Sequence, residues 1–139
     1  MNARAAPDKA TRHRVLIVDD EESMRLFLAR ILTTVLKVEV TLAGTSEQAL
    51  RLAGNYAYDA ILLDLLMPGV GGYEVLKDIR RASPNVATPV IIVSVLADQA
   101  TRDRCVKAGA SAYVVKPVER NSLVATVKAQ IAGRSKPKT

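Results

Sequence analysis

Four short, wholly apolar runs recur along the chain with longer amphipathic segments between them: Val15-Leu16-Ile17-Val18, Ala60-Ile61-Leu62-Leu63, Val90-Ile91-Ile92-Val93 and Ala112-Tyr113-Val114-Val115. Runs this short cannot span a membrane, and continuous apolar character over four residues reads as a strand buried on both faces, the environment of a parallel sheet. A fifth segment, Val38-Glu39-Val40-Thr41-Leu42, alternates apolar and polar residues and belongs at a less completely covered sheet edge.

The segments between the runs carry helical spacing. Met24, Phe27, Leu28, Ile31, Leu32 and Val35 fall at steps of three and four on one helical face. A second helix is expected to start near Thr45, whose hydroxyl can cap it with Gln48 reciprocating three residues on, and to end near Asn55. Val75, Leu76 and Ile79 mark a third helix. The fourth, Asp98 to Ala108 with a stop at Gly109, has only Ala100, Cys105 and Val106 to bury and is the least anchored. Val124, Val127 and Ile131 define a fifth.

Strand and helix therefore alternate five times. Parallel strands joined by right-handed helical crossovers give an α/β three-layer sandwich, and five pairs are too few for an eightfold barrel. With an alternating edge strand directly after the first buried run, the expected sheet is doubly wound and flavodoxin-like, five parallel strands in the order 2-1-3-4-5. With 139 residues, 49% hydrophobic and 24% charged, the chain has room for one such domain and composition enough to fill its core.

The remaining composition removes whole classes of function. A lone cysteine, Cys105, excludes an intrachain disulfide scaffold and a Cys-rich zinc module, and the start Met1-Asn2-Ala3-Arg4 has no apolar signal segment. A cytoplasmic protein is expected. The net charge of +6 resides at the ends, in Arg4, Lys9, Arg12 and Arg14 and in Lys128, Arg134, Lys136 and Lys138, leaving the middle close to neutral. The expected division is a basic extension at 1–13, a domain at 14–132 and a basic tail at 133–139. Neither basic end carries an aromatic residue for base stacking, and direct nucleic-acid binding is not expected.

The chemistry lies at the carboxyl end of each buried strand: Asp19 and Asp20 after the first, Asp64 after the third, Ser94 after the fourth, Lys116 after the fifth. In a parallel sheet these positions share one edge of the molecule. Singly each has a bland reading: Asp20 as a helix cap, Asp64 as the opening of a Pro-Gly turn, Lys116 as an exposed lysine. Together they do not, because three adjacent carboxylates resist ionising unless a cation and the lysine balance them. Hard oxygen ligands on an open loop edge favour Mg2+ completed by a phosphate oxygen.

These residues resemble a response-regulator receiver domain of the chemotaxis CheY type. The likeness rests on Val15-Leu-Ile-Val-Asp-Asp-Glu21, on Ile61-Leu-Leu-Asp-Leu-Leu-Met-Pro-Gly69 with Gly72, on Ser94, and on Tyr113-Val-Val-Lys-Pro117, and it covers residues 14 to 132. It implies that Asp64 is a phosphoacceptor taking a phosphoryl group from a histidine kinase or phosphotransfer protein. It further implies that Asp20 is a direct Mg2+ ligand, Asp19 a ligand acting largely through water, and the Leu66 carbonyl a backbone ligand beside Asp64. Lys116 would pair with Asp64 and hold the phosphoryl group, with a cis bond to Pro117; Ser94 would swing to the phosphate; Tyr113 would act as a rotamer switch.

Such a domain is not an enzyme beyond catalysing its own phosphorylation and dephosphorylation. Its output is expected through the fourth helix, fifth strand and fifth helix, toward a downstream protein or a homodimer. Relatives often carry polar residues where Leu66 and Leu96 stand, a small one at Val95 and Asp at Gly71, so the mouth of this site is unusually apolar. The alternatives are a receiver segment of a larger regulator or hybrid kinase, and an Mg2+-dependent phosphatase of the haloacid-dehalogenase type. The latter needs Asp-x-Asp, whereas Asp64 is followed by Leu65 and Leu66.

Overall fold

Every apolar run forms a strand in the computed structural model, which describes residues 12–81 and 83–135. In chain order the elements are β1 (Arg14–Val18), α1 (Glu22–Ile31), β2 (Glu39–Ala43), α2 (Ser46–Asn55), β3 (Ala60–Leu63), α3 (Gly72–Arg81), β4 (Val90–Ser94), α4 (Gln99–Ala108), β5 (Ala112–Val115) and α5 (Arg120–Ser135). A single wider π-type turn, Leu32–Leu36, extends α1 before Lys37 turns the chain in a left-handed conformation. All neighbouring strands pair in parallel, in the order β2-β1-β3-β4-β5. This is the flavodoxin-like order that the edge-strand pattern predicts.

Alternation along each strand divides the core between two faces. Leu16, Val18, Ile61, Leu63, Val90 and Ile92 pack with Ala49 and Ala53 of α2, Val75, Leu76 and Ile79 of α3 and Cys105 of α4. Val15, Ile17, Ala60, Leu62, Ile91 and Val93 pack on the other side with Leu28 and Ile31 of α1 and Leu123, Val127 and Ile131 of α5. Fully burying each large aliphatic side chain contributes about 1.5–3 kcal/mol, so the wholly apolar, buried runs of β1, β3 and β4 contribute a large share of the stability.

Several expectations are corrected. β5 is the far edge of the sheet, and of its four residues only Val114 is buried, so it is not covered on both faces. Phe27 and Val35 share the helical stripe with Leu28 and Ile31 but lie at its margin, 44% and 39% exposed. Val106 on α4 faces outward, leaving Cys105 as the helix's one buried side chain. Helix α5 runs to Ser135, past Gly133 where the sequence places the start of the tail. Of the two basic ends, residues 1–11 and 136–139 lie outside the described residues.

The caps follow the sequence closely. Thr45 Oγ1 accepts the Gln48 N–H, while the Gln48 side chain reaches back one residue further than expected, to the Gly44 N–H. Asp98 accepts from Thr101 N–H, and Gly109 ends α4 at φ 108°. Buried polar groups between α2, β3 and β4 are also satisfied. Asn85, with no exposed surface, donates to the Ala53 and Tyr56 carbonyls and accepts from Tyr58 N–H and Thr88 Oγ1.

Candidate metal and phosphoryl site

The carboxyl ends of β1, β3, β4 and β5 line one edge of the sheet and deliver Asp19, Asp20, Asp64, Ser94 and Lys116 there. One oxygen from each of Asp19, Asp20 and Asp64 lies within 4.8 Å of the others. Lys116 Nζ reaches across from β5 to Asp19 Oδ2 at 2.8 Å and to Asp64 Oδ2 at 3.4 Å. Its side chain is 8% exposed, those of Asp19 and Asp64 1% and 6%, so the ion pairs are shielded from water. The Lys116–Pro117 peptide is cis.

None of the bland readings accounts for this arrangement. Asp20 does not cap α1: the residue at the cap position is Glu21, which makes no side-chain capping bond, while Asp20 stands exposed beside the buried Asp19. Asp19 Oδ1 instead accepts the Glu21 N–H at 2.9 Å. Asp64 does open its turn, with Oδ1 accepting the Leu66 N–H at 3.2 Å, and it also faces the lysine. Lys116 is not an exposed lysine at all.

Burial pushes the Asp64 carboxyl above the ordinary carboxylate range, a rise that the Leu66 N–H and the Lys116 charge oppose and the Asp19 charge reinforces. Burial would lower the Lys116 ammonium, yet hydrogen bonds and charge from Asp19 and Asp64 outweigh it and hold the ammonium above its usual value. Carboxylates of hard oxygen, crowded together and only partly balanced by one lysine, fit a divalent cation well. The acidic cluster is therefore able to hold a metal ion.

The sign of the Asp64 shift gives a measurable consequence. A carboxyl raised in the fold binds its proton more tightly when folded, so ionising it costs stability. That cost is absent below the unfolded value of 3.8 and grows as pH rises through the folded value. With divalent ions chelated, Asp64→Asn should raise the unfolding temperature near neutral pH, and the gain should shrink as pH falls toward about 4. An equal or lower unfolding temperature at neutral pH would contradict the strain assigned to this carboxylate.

Ser94 and Tyr113 meet on one residue of the loop after β4, Leu96. Ser94, fully buried, accepts the Leu96 N–H on Oγ at 3.2 Å, and the Tyr113 hydroxyl donates to the Leu96 carbonyl at 2.6 Å. Burial raises the Tyr113 phenol above its usual pKa. The Arg102 guanidinium of α4 sits 4.9 Å from the Tyr113 ring centroid. Leu66 and Val95 stand at the rim, 50% and 57% exposed, so the mouth is apolar as expected.

Sequence reasoning missed Arg25. Its Nη1 donates to the Asp19 carbonyl at 2.7 Å from the first turns of α1. The signal was present as an arginine six residues beyond Asp19, on the helix that the acidic loop enters.

The chain resembles known proteins in both sequence and fold. Residues 15–128 match the sequence profile of the response regulator receiver domain. The transcriptional regulatory protein ResD of Bacillus subtilis is 35% identical over 88% of this chain and 49% of its own length. A CheY-like receiver domain protein of Methanospirillum hungatei superposes with a TM-score of 0.82 at 27% identity, over 89% of this chain and 97% of that one. The receiver domain of the sensor histidine kinase PA1611 of Pseudomonas aeruginosa, solved with a magnesium ion in its active-site cleft, gives 0.80 at 30% identity, covering 88% and 99%. The chain spans about half the length of ResD and of other curated regulators that it matches.

Proposed function

The chain belongs to the response regulator receiver domain family of two-component signalling, and from that premise we propose that it is a switch thrown by phosphorylation of Asp64. The supporting observation is the convergence of Asp19, Asp20, Asp64 and Lys116 at one shielded strand edge. A carboxylate oxygen of Asp64 attacks the phosphorus of a phosphohistidine on a kinase or phosphotransfer protein. The P–N bond breaks, the imidazole leaves with its electron pair and takes a proton from solvent, and Asp64 becomes an acyl phosphate.

Asp19, Asp20, Asp64 and the Leu66 carbonyl would hold Mg2+, which when bound neutralises charge on the transferring phosphoryl oxygens. Lys116 supplies fixed positive charge beside Asp64 without needing to move into place, which is how preorganised electrostatics lowers such a barrier. Small phosphodonors such as acetyl phosphate should phosphorylate the protein in Mg2+ and fail to do so with the metal chelated. Uptake that is indifferent to chelation would overturn the metal role.

The two neighbouring carboxylates divide the work. Both oxygens of Asp19 already accept hydrogen bonds, from Glu21 N–H and Lys116, whereas Asp20 is exposed beside them. Asp20→Ala should therefore weaken Mg2+ binding severalfold more than Asp19→Ala, the scale on which direct ligands exceed supporting ones. Calorimetric titration ranks them, and an equal or reversed order would mean the assignments must be exchanged.

The output proposed is a change in the face formed by α4, β5 and α5. Helix α4 is anchored by one buried side chain, and both Ser94 and Tyr113 grip the loop that leads into it, so a small input at the site can shift it. Arg102 and Lys107 of α4 would present a basic surface there to an acidic partner or a second copy of the chain, whereas Arg104 stacks 4.4 Å from the Tyr73 ring of α3 and Arg120 and Lys128 border grooves toward α1 and its extension. The coverage of ResD also favours a second reading, in which residues 14–132 serve as the receiver part of a longer regulator.

A further inference from the structure

Every polar group of Asp19 is occupied. Its N–H donates to the Ala43 carbonyl at 3.1 Å, its carboxylate takes Lys116 and the Glu21 N–H, and its carbonyl takes Arg25 Nη1 at 2.7 Å. The last of these bonds lies on the peptide that joins Asp19 to Asp20. That peptide sets the direction in which the exposed Asp20 carboxylate leaves the backbone.

The guanidinium lies close against Gly44. A Cβ at Gly44 would lie 2.8 Å from Arg25 Nη1 and 3.2 Å from Cζ, so the absence of a side chain there makes the space that Arg25 fills. Gly44 follows β2 and Asp19 follows β1, and the two strands pair along their whole length. Arg25 thus binds α1 to the loop bearing the acidic pair, after β1, while its guanidinium sits beside the glycine that follows β2.

From this geometry we infer that Arg25 is a positioning residue for cation binding: by clamping the Asp19–Asp20 peptide it fixes Asp20 toward Asp64, in a cleft that the glycine at position 44 keeps open for the guanidinium. The inference rests on the metal reading above. A positive charge near a cation site has two opposed effects, and they differ in sign. Acting through charge alone, the guanidinium repels a divalent cation, and its removal would tighten binding. Acting through position, its removal loosens a ligand, and supporting residues of this kind typically cost about tenfold or more in metal affinity when lost.

The test is calorimetric titration of the full chain with Mg2+, with thermal unfolding in chelator recorded for each variant. Arg25→Ala should bind Mg2+ about tenfold more weakly while still unfolding cooperatively, and Arg25→Lys, which keeps a donor and the charge, should recover most of the loss. Gly44→Ala leaves every charge in place yet displaces Nη1 from its seat, and it should weaken binding severalfold in the same direction. Unchanged or tighter binding by Arg25→Ala or Gly44→Ala would overturn the positioning role. If Arg25→Ala fails to fold, Gly44→Ala and Arg25→Lys decide the matter by the same measure. Failure of the unaltered chain to bind Mg2+ would instead remove the metal reading on which the inference stands.

Discussion

Replacing Gly72 with alanine should lower stability by about 2–3 kcal/mol, near the upper end for forcing a methyl group into a filled site, and should disable Asp64 along with it. A Cβ on Gly72 would fall 2.0 Å from the Asp64 carbonyl oxygen, 2.8 Å from Leu65 Cα and 2.9 Å from the Asp64 carbonyl carbon. All three are backbone atoms of Asp64 and its neighbour. No flexible side chain can give way, so either α3 lifts from the sheet or the Asp64 peptide moves.

The Gly72 N–H donates to the Leu65 carbonyl at 3.1 Å, so the first turn of α3 and the loop after β3 are bound together at this point. Moving one moves the carboxylate that Lys116 faces. Gly54 in α2 is the control, because a Cβ there meets nothing within 4 Å and alanine is the better helix former by roughly 0.5–1 kcal/mol. Urea unfolding should place Gly72→Ala well below the unaltered chain and Gly54→Ala level with it or above. A Gly72→Ala variant as stable as its parent would show that the α3–β3 contact is looser than described.

Where the sequence was legible and where it was not has a physical logic. The convergence of Asp19, Asp20, Asp64, Ser94 and Lys116 could be read without coordinates because parallel strands put their carboxyl ends on one edge. Each polar residue directly after an apolar run must therefore arrive there. The edge character of β2 was legible because its side chains alternate. That of β5 follows only from the expected order, in which the fifth strand is last, because Tyr113, Val114 and Val115 are as apolar as a central strand. Being last in the sheet order is a property of topology and not of composition.

Helical spacing likewise identified which residues share a face, but not how wide the covered stripe would be. Leu28 and Ile31 are buried against β1 and β3, while Phe27 and Val35 lie at the exposed margin of the same stripe, Phe27 beside Arg120 of α5. Leu123 of α5, fully buried, escaped notice because Val124 beside it fits the same spacing. The hydrogen bonds of Asn85 and Arg25 were the least legible. Apart from Thr88 their partners are backbone carbonyls and N–H groups of residues distant in the chain or across a loop, so the sequence offers at most the residue, as with an arginine six positions beyond Asp19, and not the group it binds.

The second large effect concerns Asp64. Its substitution by asparagine keeps size and shape but replaces the oxygen nucleophile with an amide that cannot form an acyl phosphate, so the loss should be complete rather than partial. Asp19 and Asp20 remain in the variant, and neither replaces it. Asp19 has both oxygens engaged with Lys116 and the Glu21 N–H, while Asp20 is exposed and the Lys116 ammonium faces Asp19 and Asp64 instead. The direct measurement is intact-mass spectrometry of the chain after incubation with acetyl phosphate and Mg2+. One added phosphoryl group is expected on the unaltered protein and none on Asp64→Asn; labelling of the variant to the same extent would contradict the role proposed for Asp64.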